Sequence, residues 1–78
     1  MALDKLEAMR AFCRIVELGS FSKAADALGV AKTTISGQIQ TLVARLGITL
    51  LHRSTRRVSP TSDGLKYYGQ IKPLLENI

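Results

Sequence analysis

The sequence predicts a mainly α-helical fold with one small β-hairpin, and three observations predict it. Apolar residues recur every three to four positions in four separate windows, the signature of helices that each bury one stripe. Glycines stand directly behind the first three windows, at positions 19, 29 and 47, where helices end most easily. Between the third and fourth windows, residues 48–60 read as two short extended runs around a polar tip. At 78 residues, 46% hydrophobic and 22% charged, the chain is too apolar for disorder and too short for a deep cavity.

Each element has its own local reasons. The first helix is expected over residues 4–18, with Leu6, Met9, Phe12 or Cys13, and Val16 on one stripe. Asp4 stands as its N-cap with Glu7 in capping-box position, and Gly19 ends it. Ser20 or Ser22 caps a second helix whose Phe21, Ala24, Ala25 and Leu28 face inward, and Gly29 stops that one. The third opens near Lys32 or Thr33 and buries Ile35, Ile39, Leu42 and Leu46, closing at Gly47. Its opposite face carries Lys32, Thr33, Ser36, Gly37 and Gln40, which are polar, small and neutral to basic. The hairpin follows, with Ser54-Thr55 as its tip. Thr61 caps a last helix with Leu65, Tyr68, Ile71, Leu75 and Ile78 on one face. Pro73 lies inside it and is expected to bend it. That apolar stripe has little chain left to cover it, so pairing with a second copy is expected.

The charge is sorted along the chain. Residues 1–31 hold four cations and four acids, and residues 58–78 hold two of each. Residues 32–57 hold Lys32, Arg45, Arg53, Arg56 and Arg57 with no acid, so the whole net charge of +5 lies there. An acid-free basic segment suits a polyanion, whose condensed counterions are released on binding. Arg45 reads as a side chain lying along the core, and Lys5, Arg10 and Arg14 as a charge-balanced, solvated face. Ala25, Gly29 and Ile35 give a close crossing, a sharp turn and a core anchor, the geometry of a helix-turn-helix. With the basic hairpin behind it, this reads as a winged helix-turn-helix.

Other chemistries are excluded by composition. Cys13 and His52 are the single cysteine and histidine, too few for a zinc cluster or a disulfide framework. The six carboxylates are dispersed and no nucleophile is spaced with a base, so an enzyme is not expected. Nothing approaches 18 consecutive apolar residues, so no membrane span is expected, and the start MALDKLEAMR does not read as a signal peptide.

The run Ala11-Phe12 through Val16, then GSFSKAADALGV, then TTISGQIQTLVARLGITLLHRSTRRVSPTSDG, resembles the N-terminal domain of LysR-type transcriptional regulators over essentially the whole chain. The resemblance implies a winged helix-turn-helix over residues 1–60 and the start of a linker, or dimerisation, helix over 61–78. A separate effector-binding domain would lie outside this chain. It implies sequence-specific binding of double-stranded DNA, with base and phosphate contacts at Lys32, Thr33, Thr34, Ser36 and Gly37, and with Gln38 and Thr41 nearer the backbone. The wing corresponds to Arg53, Ser54, Thr55, Arg56 and Arg57. It further implies a homodimer paired through the last helix, a higher oligomer of the full-length protein, and a small-molecule effector bound outside this stretch. No cofactor is implied within it, and the expected setting is the bacterial cytoplasm and nucleoid. Relatives often carry arginine where Gly37 stands and glutamine where Lys32 stands. Base reading therefore runs either through Lys32 and Ser36 or through closer backbone approach at Gly37.

Overall fold

The computed structural model describes residues 2–53 and 57–76, and Ser54, Thr55, Arg56 and Ile78 lie outside that range. The order is α1 (Ala2–Leu18), α2 (Phe21–Leu28), α3 (Lys32–Leu46), β1 (Leu51–Arg53), β2 (Val58–Pro60) and α4 (Ser62–Glu76). Helix α1 is the hub and packs against α2, α3 and α4. That is why it buries more than a single stripe: Ala8, Ala11, Phe12, Cys13 and Ile15 are all core residues. Helix α1 already begins at Ala2, so Asp4 sits in its first turn and is not its cap. Leu28, expected inside, lies at the exposed end of α2.

The glycine stops act as expected. Gly19, Gly29 and Gly47 all have φ near +70°, a conformation that costs glycine nothing and other residues more. After α2, the Val30 N–H reaches back to the Ala25 carbonyl at 3.0 Å, which tightens the turn into α3. Ser20 is the cap of α2, its hydroxyl accepting from the Lys23 N–H at 3.2 Å.

The hairpin pairs Leu51 with Pro60, His52 with Ser59 and Arg53 with Val58, leaving four residues, 54–57, between the strands. A two-residue Ser54-Thr55 tip would instead have set Arg53 opposite Arg56. Such a tip needs residues tolerant of positive φ, and like charges directly opposite repel. The observed register slips by two, so each side chain keeps its face.

Behind the hairpin, Thr61 fastens the chain. Its N–H donates to the Leu50 carbonyl (3.0 Å) and its hydroxyl to the Thr49 carbonyl (2.6 Å). The same hydroxyl accepts from the Gly64 N–H at 2.9 Å, which caps α4. Helix α4 thus starts hard against the Leu50 backbone, where a Cβ on Gly64 would fall 2.1 Å from the Leu50 oxygen. Farther along, Ile71 is buried in the core and the Tyr67 ring lies 5.7 Å from that of Phe12.

This placement corrects one expectation about the last helix. Ile71 is only 3% exposed, Tyr68 and Leu75 are half-buried against the core, and Leu65 alone of the described stripe is open, at 55%. A stripe at helical spacing serves a helix's own domain as readily as a partner, and α1 supplies the covering surface. Glu17 of α1 completes that contact. It accepts from the Tyr68 hydroxyl at 2.7 Å, pairs with Lys72, and pairs with Arg14 at 2.9 Å. Burial pushes the Glu17 carboxyl up, but the hydrogen bonds from Lys72 and Tyr68 outweigh it and hold it below its ordinary 4.5.

Two measurements check these contacts. Gly64→Ala should destabilise the domain by about 1–3 kcal/mol in urea unfolding through overpacking. Gly69→Ala, at an equally helical but open position, should stabilise it by up to about 1 kcal/mol. A group with a depressed pKa stabilises fully above its unfolded value and loses that contribution as pH falls through its folded value. Glu17→Gln should therefore lower the urea midpoint at pH 7, and the gap to wild type should close as pH falls below about 4.5.

Candidate nucleic-acid interface

Helix α3 presents its polar side outward because Ile35, Ile39 and Leu42 anchor the other side in the core. Lys32, Thr33, Thr34, Gly37 and Thr41 are exposed, while Ser36 and Gln38 are half-buried at its flanks. The Thr41 hydroxyl donates back to the Gly37 carbonyl at 3.0 Å. Ala31 precedes the helix without a side-chain cap, and its first turn holds no acid. The opening N–H groups of α3 thus form a positive end that favours an anionic acceptor.

The wing lies along one flank of this helix. A cleft of about 390 Å³ runs between them, with Ser36, Gln40 and Ala44 of α3 on one side and Leu51 and Arg53 of β1 on the other. Phe21 forms part of its wall, and the Arg53 guanidinium lies 4.0 Å above the centroid of that ring. Arginine stacks through its planar face and leaves its N–H edge pointing outward, so it can hold the wing and meet an acceptor together. Gln40 and Ala44 belong to this outward side although no expectation assigned them a contact; their spacing of seven and eleven from Thr33 was the available signal.

A second groove brings Ser20 and Lys23 of α2 together with Arg57 and Ser59 of the wing. Lys23 was masked in the sequence by its nearby acid Asp26, yet no ion pair joins the two among the described residues. His52 is exposed on β1 opposite Ser59. The remaining wing candidates Ser54, Thr55 and Arg56 fall outside the described residues.

Among the described residues, no group of three metal-binding side chains occurs and no helix is long and apolar enough to cross a membrane. Burial, with Glu17 adding its negative charge, raises the Cys13 thiol to about 11. The folded chain should therefore react with an aromatic disulfide reagent at pH 8 far more slowly than the urea-unfolded chain. Equal rates would show Cys13 to be an accessible thiolate.

Known proteins share this arrangement. Residues 6–65 match the sequence family described as bacterial regulatory helix-turn-helix protein, lysR family. The chain is 46% identical over 76 residues to an HTH-type transcriptional regulator, YhjC, of Escherichia coli strain K12, covering 97% of this chain and 25% of that protein. It is 45% identical over 76 residues to an HTH-type transcriptional repressor of Pseudomonas aeruginosa strain UCBPP-PA14, covering 97% and 24%. The chain thus spans about a quarter of the length of these relatives. Its fold is similar to the DNA-binding domain of BenM, a regulator of Acinetobacter baylyi, in the crystal structure of its complex with catB site 1 DNA. The TM-score is 0.88 at 44% identity, over 92% of this chain and 80% of that one.

Proposed function

Because the chain belongs to the LysR family of bacterial regulatory helix-turn-helix proteins, and is a DNA-binding domain of that type, we propose that it reads duplex DNA with α3 in the major groove and the wing against the backbone. Lys32, Thr33, Thr34, Ser36 and Gly37 face the bases and nearest phosphates, and Gln38 and Thr41 lie toward the backbone. Arg53, Arg56 and Arg57, with Ser54 and Thr55, meet phosphates or a narrow minor groove. The observation that carries this reading is the shared cleft in which Ser36 and Gln40 of α3 stand opposite Arg53 of the wing. An uncapped, acid-free helix end, with the wing arginine along the same helix's flank, gives a surface suited to a polyanion.

The same reading extends to the whole protein. It is a transcriptional regulator of the bacterial cytoplasm and nucleoid, paired as a homodimer through α4 and the chain beyond it, with a higher oligomer at full length. A small-molecule effector binds in the part outside this stretch. Leu65 is the member of the stripe left open for a second protomer. Tyr68, Ile71 and Leu75 shape that interface from beneath by fixing α4 on α1.

Selection of bound sequences from random duplex DNA tests the reading and supplies a preferred site. If Lys32, Arg53, Arg56 and Arg57 of two protomers each meet a phosphate, log affinity should fall against log salt with a slope of about −7. A slope near −2 would remove most of these contacts. On the selected site, Ser36→Ala and Lys32→Ala should cost about 1–3 kcal/mol and far less on random duplex. Arg57→Ala should weaken both alike.

A further inference from the structure

The cations of α1 are sorted by the neighbour they face. Toward α4, Arg14 and Lys72 are taken up by Glu17, and the groove they line also holds Arg10 and Glu76, so the signs alternate. Toward α3 the pattern is different. A groove of about 390 Å³ there is lined by Lys5 of α1 and by Gly37, Gln38, Thr41 and Arg45 of α3, with no acid among the described lining residues. Neither Lys5 nor Arg45 forms an ion pair among the described residues. Gly37 stands in the same wall, and a Cβ there would meet nothing within 4 Å. Its φ is not positive, so neither backbone geometry nor packing calls for glycine at a position where it weakens the helix.

We propose that this α1–α3 groove is a second seat for the DNA backbone, with Lys5 and Arg45 as cationic posts and Gly37 as its open mouth. The proposal rests on the reading of α3 as the major-groove helix. An α-helix with its side chains is about 10–12 Å across and B-DNA's major groove is about 12 Å wide, so a seated helix has a phosphate wall along each flank. The wing, through Arg53, serves the flank of α3 that carries Ser36 and Gln40. The flank carrying Gln38, Thr41 and Arg45 faces α1 and receives no help from the wing. The groove supplies that flank with the Lys5 and Arg45 charges and the Gln38 carboxamide, and the missing side chain at 37 lets a phosphodiester strand enter. Its occupant is read by charge and shape, so it adds affinity without sequence preference.

The test compares the selected duplex with a random duplex over a range of salt. Lys5→Gln with Arg45→Gln removes the charges and keeps a polar, hydrogen-bonding side chain at each position. With the second seat occupied the wild-type slope should be about −11 in place of −7, and the double variant should weaken both duplexes by the same factor, roughly tenfold, and bring the slope back to about −7. Gly37→Leu, which closes the mouth with a good helix former, should weaken both duplexes while raising the melting temperature. Lys66→Gln, on α4 and without an ion pair, should change neither affinity nor slope. Wild-type affinity and slope in the double variant, or a loss confined to the selected duplex, would overturn the second seat while leaving α3 as the reading helix. Failure of the wild-type chain to bind either duplex would overturn both.

Discussion

Thr61 takes part in four hydrogen bonds within one turn of chain, and the positions of the wing and the last helix both follow from them. Its amide and hydroxyl hold the Leu50 and Thr49 carbonyls, so the chain leaving the hairpin is tied to the chain entering it. Its hydroxyl and carbonyl also receive the Gly64 and Leu65 amides, so the same residue starts α4. A buried backbone group without a partner is costly, and here one side chain satisfies groups from both sides of the wing base. Gly64 belongs to the same device, because only a residue without a side chain lets α4 begin so close to Leu50. With three-residue strands, the hairpin has too few ladder bonds to hold itself, and its geometry depends on this clasp.

From that base, two further contacts fix the domain as one body. Arg53 on Phe21 joins the first wing strand to the start of α2, and Glu17 joins α1 to α4 through Tyr68 and Lys72. The Glu17 pairs lie at the surface, where a single ion pair contributes little, and the Arg53 cation caps a core ring from outside, so both orient elements that the apolar core already holds together. The core itself is small and centred on α1, with Phe12, Ile15, Ile35, Leu42 and Leu50 as its most enclosed large side chains.

The helices and their ends were legible in the sequence because periodicity and glycine act locally. Gly19, Gly29 and Gly47, the Ser20 cap, the Thr61 cap and the Ala25–Gly29–Ile35 turn could each be read from a few neighbouring residues. What could not be read was set by distant partners. Ala8 and Ile15 are core because α1 has neighbours on three sides, and the burial of Ile71 depends on α1, more than fifty residues earlier. The wing register depends on cross-strand charge and the clasp behind it, neither of which appears in a two-residue tip. At the site, the outward face of α3 was evident from its spacing. Lys5 and Lys23 were obscured because acids close in sequence suggested neutrality, yet neither forms an ion pair among the described residues.

Pro73 has a proline ring in place of an amide hydrogen, so the Gly69 carbonyl, four residues before it, loses its helical donor within α4. The helix ahead of that point is held by the Thr61 cap, Ile71 and the Glu17 contacts, and after it Leu75 rests half-buried against the core while Leu74 is exposed. Helix α4 nevertheless runs on from Ser62 to Glu76, with that missing bond as the weakest step of its ladder. A bending load on α4 is therefore taken up first at the Gly69–Pro73 step, where the ladder lacks a bond, and the Thr61 clasp at the head of the helix is spared it.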